Sequence, residues 1–474
     1  MTAYDYDLLI IGGGPGGVAA AKLGALRGLH VGLVADDNLL GYGLSGAYKS
    51  KAMYEMAREY ITFHRRWNID PLASGVSFAD ISNTNMAQAE ELRQVYVRQF
   101  EEIGIPIIQG YGRFVDPHTV EVGGKAVTGG HVVIATGTRP RLLPNMEMDG
   151  RHVLTSDEIV LLDRPIQSLL VLGAGVIGCE FAAIFAAFGV DVTLVDTRER
   201  ILPLEDADIA ALLTRSFTDL KVTVRGNARC KGVEIVGDRV RTDLGDGAPV
   251  ETDAVLLAIG RVPNTRGLNV EAAGVALNDW SYIPVNDNLQ TNVPHIYAVG
   301  DVGQRASTLD LALVHVAEAE GRHAATHILQ RADKHLSTRH VPFIIFSLPM
   351  VAGAGLSEMD ARAKLGEVRV GKFANCRNHR AHAQRARTGF VKLIVGPEGD
   401  DRVYGARGVG DGVDSIVGEV SMMIEHELPY TYLLDSIHAH PSLSESLQGA
   451  ARIIAGHATP YLEGEETVYE IGDI

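Results

Sequence analysis

Two segments of this 474-residue chain place three glycines at the spacing that lets a backbone hold a pyrophosphate. The segments read DLLIIGGGPGG and SLLVLGAGVIG. The first glycine of each makes a tight turn, the second admits a phosphate, and the third lets a helix pack closely on a strand. Each segment is therefore a candidate dinucleotide-binding loop. The glycines are Gly12, Gly14 and Gly17 in the first loop and Gly173, Gly175 and Gly178 in the second.

An acidic residue about 20 residues after each loop is expected to bind ribose hydroxyls. Asp196 closes the second strand of the second unit, and its carboxylate would accept hydrogen bonds from a ribose diol and repel a 2′-phosphate. Arg198 and Arg200 follow it and could bind that phosphate instead, so NAD(H) is favoured while NADP(H) stays open. In the first unit the expected position is Ala35, and Asp36, one place later, is the candidate.

Both loops lie between elements that can position them. The apolar run from Leu8 to Ile11 precedes the first loop, an alanine-rich helix follows, and a strand from His30 to Val34 completes the unit. The same order recurs in SLLVLGAGVIGCEFAAIFAAFGVDVTLVD. This strand–loop–helix–strand context separates a dinucleotide loop from an ordinary glycine turn. Two such units predict two bound dinucleotides, an arrangement that usually moves hydride or electrons between them.

Composition narrows the class of protein. The length predicts roughly three domains, and 46% hydrophobic with 22% charged residues is typical of a globular chain. The net charge of −16 disfavours nucleic acid as a partner, because its backbone needs a basic surface. Cys179, Cys230 and Cys376 show neither a CxxC pair nor metal-type spacing, so we expect no disulfide framework and no metal site. With no signal sequence and no membrane-spanning apolar run, we expect a cytoplasmic protein.

Further segments resemble those of the flavoprotein disulfide reductases, the group containing dihydrolipoamide dehydrogenase, glutathione reductase and soluble transhydrogenase. HVVIATGTRP (131–140) and AVLLAIGRVPN (254–264) are similar to the segments that close each nucleotide domain. HIYAVGDV (295–302) resembles the second flavin motif, and HAHPSLSE (438–445) resembles the C-terminal acid/base segment. The resemblance covers nearly the whole chain. It implies FAD and NAD(H), possibly NADP(H), as cofactors, and a homodimer.

The resemblance also implies roles for individual side chains. Asp301 corresponds to the aspartate that holds the ribityl chain of the flavin. Lys51 and Glu180 match a lysine–glutamate pair whose fixed ammonium would stabilise negative charge on a reduced flavin, and a simple ion pair between domains is the alternative. His440 matches the C-terminal base, and Glu445 matches the carboxylate that orients it.

The candidate site residues form two groups. The catalytic candidates are Lys51, Tyr42, Glu180, His440 and Glu445. The cofactor-binding candidates are Gly12, Gly14, Gly17, Asp36, Lys51, Thr136, Gly137, Gly173, Gly175, Gly178, Asp196, Arg198, Gly260 and Asp301.

The stretch GYGLSGAYKSK (41–51) departs from the family pattern. Members carry two cysteines ahead of a Ser-Lys pair, and Tyr42 and Ala47 occupy those positions here. Neither side chain forms a thiolate or a disulfide, so we expect no dithiol relay. Gly46 and Ala47 would leave a small space beside the flavin, open to an acceptor or to a second nicotinamide. Tyr42 and Tyr48 could donate hydroxyls or stack there, or could simply fill the hole.

The predicted fold class is α/β, with two Rossmann-like FAD- and NAD(P)-binding domains and an α+β C-terminal dimerisation domain. Because the family's C-terminal histidine serves the partner subunit's flavin, we expect a homodimer to complete each site. The expected boundaries are 1–150 and 269–340 for the two parts of the FAD domain, 151–268 for the NAD(P) domain, 341–456 for the dimerisation domain and 457–474 for an acidic tail.

One basic segment, NCRNHRAHAQRARTG (375–389), has no assigned role. It could attract a carboxylate or phosphate of the substrate, or it could be a solvated hairpin or an intersubunit salt-bridge strip.

The sequence therefore predicts an FAD-containing, NAD(P)H-dependent oxidoreductase that passes electrons directly between the flavin and a small-molecule acceptor or donor. A retained proton donor suits an acceptor that becomes protonated, such as a quinone, carbonyl or activated alkene. The alternatives are a soluble transhydrogenase and a non-catalytic nucleotide sensor or assembly subunit.

Overall fold

The computed structural model describes residues 4–36, 39–41, 43–67, 77–144, 146, 148–245, 247–305, 312–330 and 336–465. The strands are β1 (Tyr6–Ile11), β2 (Val31–Ala35), β3 (Ile107–Gln109), β4 (Gly112–Phe114), β5 (Thr119–Val122), β6 (Lys125–Ile134), β7 (Thr138–Pro140), β8 (Val153–Thr155), β9 (Ser168–Leu172), β10 (Asp191–Val195), β11 (Thr223–Arg225), β12 (Gly232–Val236), β13 (Arg239–Asp243), β14 (Val250–Thr252), β15 (Ala254–Leu257), β16 (Arg261–Pro263), β17 (Ile283–Val285), β18 (Ile296–Ala298), β19 (Gly303–Arg305), β20 (Pro342–Ile345), β21 (Val351–Gly355), β22 (Arg369–Ala374), β23 (Phe390–Val395) and β24 (Val403–Val409). The helices are α1 (Pro15–Leu26), α2 (Lys49–Trp67), α3 (Phe78–Glu102), α4 (Val176–Ala187), α5 (Ala207–Asp219), α6 (Val314–Ile328), α7 (Glu358–Leu365), α8 (His379–Gln384), α9 (Val417–Glu425), α10 (Thr431–Asp435) and α11 (Glu445–Ile454).

The first sheet has β1 near its centre. Strands β3, β2, β1, β6 and β18 run parallel in that order, and β5 and β4 extend β6 by antiparallel pairing. Residues 8–11 of β1 are buried on both faces, as a parallel strand covered by helices requires. Ile11 pairs with Val34 and with Ile134, so three strands end at one edge of the sheet. The first glycine loop leaves from this edge.

The second sheet repeats this arrangement. Its parallel strands lie in the order β11-β10-β9-β15-β8. Leu172 pairs with Val195 and with Leu257, which again aligns the strand ends beside a glycine loop. A short antiparallel ribbon joins the two units, because β7 leaves the first sheet and pairs with β16, which leaves the second.

The C-terminal sheet is antiparallel, in the order β20-β21-β24-β23-β22. Helices α9 and α11 place buried apolar side chains against it, among them Val420, Leu447 and Ala450. The hydrophobic core there is continuous with that of the second sheet, whereas separate clusters fill the two sides of the first. The core therefore joins the C-terminal unit to the second nucleotide unit.

A buried ion cluster ties the same two units together. The ammonium of Lys392 on β23 lies 2.9 Å from Asp206, 2.9 Å from Asp208 and 3.1 Å from Glu358, and its side chain is 2% exposed. Burial alone would lower the pKa of Lys392, but the charges of Asp208 and Asp206 raise this pKa above its ordinary value. The lysine thus stays charged and holds α5 against the C-terminal sheet.

Candidate active site

At two of its glycines, the first glycine loop leaves no room for a side chain. Gly12 has φ +109°, and a Cβ there would overlap the Ala135 carbonyl. A Cβ on Gly17 would overlap the Gly12 carbonyl. Gly14 is the N-cap of α1, and no described side chain caps this end or places an acid in the first turn. The helix N-terminus therefore presents backbone N–H groups where a pyrophosphate would lie.

The second loop follows the same rules and adds open space. Gly173 has φ +105° and abuts the Ala258 carbonyl, and a Cβ on Gly178 would overlap the Gly173 carbonyl. A Cβ on Gly175, the N-cap of α4, would meet no described atom within 4 Å. Space of this kind in front of a helix N-terminus fits a dinucleotide pyrophosphate.

The two acidic candidates occupy equivalent places. Asp36 is the first residue after β2, and Asp196 is the first residue after β10. Asp196 accepts the Ala174 N–H at 2.7 Å and the Arg198 N–H at 2.8 Å, so its carboxylate lies on the second glycine loop. Arg198 has an exposed side chain, whereas Arg200 donates to the carbonyls of residues 203 and 205. The late position of Asp36 reflects a β2 strand that begins and ends one residue later than the sequence pattern indicates.

Two turns lie where the nucleotide units meet. Gly137 follows β6 and Gly260 follows β15, with φ of +62° and +104°. The Thr136 hydroxyl donates to the Asn264 carbonyl at 3.0 Å, and the Asn264 amide donates to the Thr136 carbonyl at 2.9 Å. A Cβ on Gly137 would meet no described atom within 4 Å, so this turn also borders open space.

Asp301 lies in a short 3-10 turn, Gly300–Val302, beyond β18. Its carboxylate accepts the Thr138 hydroxyl at 3.0 Å, and the Thr138 oxygen accepts from the Arg261 guanidinium at 2.8 Å. Burial raises the pKa of Asp301, against the opposing effects of Thr138 and Arg261. These residues line a cavity of about 260 Å³ at the junction of the two nucleotide units. The aspartate is thus placed to accept hydrogen bonds from a polar ligand, as a ribityl chain would provide.

Lys51 and Glu180 form an ion pair between two helices. Lys51 is in the first turns of α2, Glu180 is on α4, and their charged atoms are 2.8 Å apart. The second carboxylate oxygen of Glu180 accepts the Phe346 N–H at 3.0 Å, and the ammonium of Lys51 lies 5.0 Å from the centre of the Phe346 ring. The Glu180 side chain is 4% exposed and that of Lys51 is 33% exposed. The buried carboxylate therefore anchors an ammonium that is partly exposed.

The stretch ahead of Lys51 is a π-helical turn, Gly43–Tyr48, that leads directly into α2. Tyr42 lies outside the described residues. Tyr48 packs against the core of the first nucleotide unit, which matches the space-filling alternative for this side chain. The Ser50 hydroxyl donates to the Ala47 carbonyl at 3.1 Å and holds the junction between turn and helix.

The C-terminal histidine and glutamate meet as the sequence predicts. His440 Nδ1 lies 2.9 Å from Glu445 Oε1, and the other oxygen of Glu445 accepts the Ser442 N–H at 2.9 Å. The His440 side chain is 58% exposed in the single chain. The carboxylate fixes one ring nitrogen, which leaves Nε2 to contact another partner.

A third side chain at this place was missed by the sequence reasoning. His379 Nδ1 lies 3.1 Å from His440 Nε2, with the ring centres 4.9 Å apart and the rings nearly perpendicular. Buried Asn378 caps α8 and donates to the Ser442 carbonyl and to the Ser446 hydroxyl, each at 2.9 Å. The basic character of residues 375–389 was the only signal in the sequence, and it did not indicate this contact.

The rest of the basic segment is a short 3-10 turn and a helix rather than a hairpin. Arg377 donates to the Thr459 and Pro460 carbonyls at 2.8 and 2.9 Å and to the Glu465 carboxylate at 2.7 Å. The described part of the tail therefore lies on its own C-terminal unit. Within the described ranges, no three His, Cys, Asp or Glu side chains cluster as metal ligands would.

Comparison with known proteins defines the class. The pyridine nucleotide-disulphide oxidoreductase family matches residues 6–321, and the dimerisation domain of that family matches residues 341–451. The chain belongs to this family.

Relatives and solved structures align over nearly the full length. The chain is 34% identical to a dihydrolipoyl dehydrogenase of Mycobacterium tuberculosis, covering 95% of this chain and 98% of the relative. It is 33% identical to one of Bacillus subtilis, covering 94% and 97%. The structure of LpdA from Mycobacterium tuberculosis has a TM-score of 0.86 at 28% identity, covering 94% of this chain and 99% of that one. The HOCl-induced flavoprotein disulfide reductase RclA from Escherichia coli has a TM-score of 0.83 at 27% identity, covering 93% and 98%.

These findings confirm the predicted family, fold class and cofactors. The protein is an oxidoreductase that uses FAD and NAD(H), and its C-terminal unit is a dimerisation domain, which supports a homodimer. Of the part of the chain that the structure describes, no helix is both long and apolar enough to cross a bilayer. The domain boundaries and the roles of individual site residues stay predictions.

Proposed function

We propose that this enzyme moves electrons between NAD(H) and a small-molecule acceptor directly through its flavin, with no redox disulfide between them. The observation that carries the proposal is that residues 41–51 contain no cysteine. Cys179, Cys230 and Cys376 are all free, and burial raises the pKa of each thiol. Because the thiolate is the reactive form of cysteine, none of them is prepared for dithiol chemistry.

The side chains around the glycine loops fit the two dinucleotides. Bound FAD would supply two-electron chemistry, taking a hydride from the nicotinamide and passing the electrons on. Asp301 would hold its ribityl chain, and Asp36 its adenosine ribose. Lys51, oriented by Glu180, would place a fixed positive charge where negative charge develops on reduction. Asp196 would bind the ribose of NAD(H), which makes NADP(H) the less favoured nucleotide.

The histidine–glutamate contact favours a reductase over a transhydrogenase. Exchange of hydride between two nicotinamides needs no proton, whereas a quinone, carbonyl or activated alkene takes up a proton when it is reduced. His440, held by Glu445 at 2.9 Å, would supply that proton. The reaction in the name of the dihydrolipoyl dehydrogenase relatives needs a cysteine pair by the family route, and residues 41–51 of this chain contain no cysteine. Tyr42 stays a candidate for contact with the acceptor, and a cytoplasmic location stays a prediction.

An anaerobic titration with NADH, followed by flavin absorbance, tests the proposal. We expect saturation at about two electrons per flavin and no thiolate-to-flavin charge-transfer band, because no dithiol takes up a second pair. Uptake of about four electrons, or appearance of that band, would contradict the proposal.

A gain-of-function variant supplies the matched control. Tyr42→Cys combined with Ala47→Cys restores a cysteine at both positions of the family pattern. We expect this double variant to take up the additional electron pair and to show the charge-transfer band. If it behaves like the parent enzyme, residues 42 and 47 do not face the flavin and the alignment is wrong.

A further inference from the structure

Two imidazoles and one carboxylate form a continuous chain at the C-terminal site. Glu445 Oε1 is 2.9 Å from His440 Nδ1, and His440 Nε2 is 3.1 Å from His379 Nδ1. His379 is the first residue of α8, and His440 precedes α11. Asn378 fixes the two segments together through its bonds to the Ser442 carbonyl and the Ser446 hydroxyl. The contact between the rings is therefore held by buried structure on both sides.

Hydrogen-bond rules assign the protons along this chain. A carboxylate only accepts, so His440 Nδ1 must carry a hydrogen, and Nε2 of the neutral ring then accepts. His379 Nδ1 must therefore be the donor, which leaves Nε2 as the outer nitrogen of His379. When His379 Nδ1 passes its proton to His440 Nε2, the His440 ring becomes positively charged. A proton taken up at His379 Nε2 then keeps the His379 ring neutral.

We propose that His379 is the outer member of a two-imidazole proton relay, so that the proton delivered to the acceptor is shared by the histidine pair (His379 and His440) and does not belong to His440 alone. This inference rests on the proposed function, because only an acceptor that becomes protonated needs the relay.

The proton balance is simple for a quinone. Reduction to a hydroquinone needs two electrons and two protons, of which NADH supplies both electrons and one proton as hydride. The charged histidine pair gives the second proton to the quinone oxygen from His379 Nε2, while His440 Nε2 returns a proton to His379 Nδ1. The pair is then neutral, with the protons arranged as the hydrogen-bond rules assign them, and a proton from water recharges it.

Charged and titratable side chains lie on the elements that carry the histidine pair. Glu445 faces the histidine pair from α11. Partial burial raises the pKa of the Glu445 carboxyl, but the Ser442 N–H and both imidazoles lower this pKa below its ordinary value. Arg377, on the preceding turn, is neutralised by Glu465. Arg380 and His382 share α8 with His379, and the ring of His382 is bonded to the Cys376 carbonyl.

Stopped-flow measurements of the two half-reactions test the relay. Enzyme reduced with NADH is mixed with 1,4-benzoquinone, which needs protons, or with ferricyanide, which takes electrons alone. We expect His379→Ala to slow reoxidation by benzoquinone by about tenfold or more, since general acid catalysis contributes at least that much. Flavin reduction by NADH and reoxidation by ferricyanide should not change, and added imidazole should restore part of the lost rate.

Two further variants separate proton transfer from simple positioning. His379→Asn keeps an N–H donor for His440 but cannot exchange a proton, so it should be as slow as His379→Ala. A full rate in His379→Asn, or a wild-type rate in His379→Ala, would overturn the relay. His382→Ala, on the same helix, is the matched control and should behave like the wild-type enzyme.

A measurement independent of turnover tests the same inference. At an alkaline pH at which the histidine pair is neutral, nitrogen-15 NMR of the holoenzyme should show His379 as the Nδ1–H tautomer, and His440→Phe should release it to the Nε2–H tautomer. An Nε2–H tautomer of His379 in the wild-type enzyme at that alkaline pH would overturn the relay, whatever the kinetics. If the wild-type enzyme does not reduce benzoquinone while the tautomer is as expected, the relay stands and quinones are excluded as the acceptor, which leaves carbonyls and activated alkenes.

Discussion

Breaking the Lys51–Glu180 ion pair should cost a different free energy of unfolding depending on which partner is removed. The Glu180 side chain is 4% exposed and that of Lys51 is 33% exposed. Lys51→Met leaves a carboxylate inside the protein, and among the described residues the Phe346 N–H is the hydrogen-bond donor that remains to it. Glu180→Gln keeps an oxygen for that N–H and leaves an ammonium that can turn towards water. Lys51→Met should therefore be the more costly change.

The size of the effect follows from the geometry. The 2.8 Å separation corresponds to an attraction of about 6 kcal/mol at an effective dielectric constant of about 20, part of which the desolvation of Glu180 offsets. Removing one partner of a fully buried pair costs about 3–5 kcal/mol. Because Lys51 is partly exposed, we expect about 2–3 kcal/mol for Lys51→Met and about 1 kcal/mol for Glu180→Gln.

Urea unfolding with saturating FAD, followed by circular dichroism, measures both losses. The double variant Lys51→Met with Glu180→Gln completes a double-mutant cycle, which should reveal a coupling energy of about 1–2 kcal/mol between the two residues. The exposed pair Arg58–Glu55, with side chains 45% and 50% exposed, is the control, and Arg58→Met should cost less than about 0.5 kcal/mol. If Glu180→Gln is as destabilising as Lys51→Met, or if the coupling energy is zero, the burial argument fails.

Three further outcomes are expected. Gly175→Ala should leave the free energy of unfolding within about 0.5 kcal/mol but raise the KM for NADH about tenfold, because its Cβ enters the space assigned to the pyrophosphate. In Gly178→Ala, by contrast, the Cβ overlaps the Gly173 carbonyl, and the yield of folded protein should fall; equal behaviour of the two variants would refute the assignment. Lys392→Met removes the one ammonium shared by three carboxylates and should lower the free energy of unfolding in urea by about 3–5 kcal/mol; a loss below about 1 kcal/mol would show that the cluster contributes little. Burial raises the pKa of Glu320 to about 7. The stability that the protonated Glu320 contributes is therefore fully present below the pKa that this residue has in the unfolded chain, and it is lost as the pH rises through about 7. The melting temperature of the wild-type enzyme relative to Glu320→Gln should therefore fall between about pH 5 and about pH 8, and parallel melting profiles would count against this.

The backbone geometry of the two glycine loops could be predicted well because its determinants are local. Gly12 and Gly17 are needed where the backbone turns and where a helix crosses a strand, and both demands arise within a few residues of chain. The first strand was expected from Leu8 and begins at Tyr6, and the second was expected at His30 and begins at Val31. Such shifts at element ends occur because hydrophobic periodicity locates an element better than its last residue.

The lysine–glutamate and histidine–glutamate pairs were predicted from resemblance to a family rather than from spacing. Lys51 and Glu180 are 129 residues apart, so no local pattern links them. They meet because α2 of one nucleotide unit packs on α4 of the other. The resemblance supplied the partners, and the packing of the two helices supplies the 2.8 Å distance.

The sequence by itself determined that this chain builds two dinucleotide loops and that no cysteine precedes Lys51. Both are properties of residue type and short spacing. Only the tertiary structure decided that His379 meets His440, 61 residues away, and that Arg377 binds the tail. Such contacts depend on how α8, the C-terminal loop and α11 pack on one another. A periodic pattern defines which face of an element is buried but not which side chains of two elements touch.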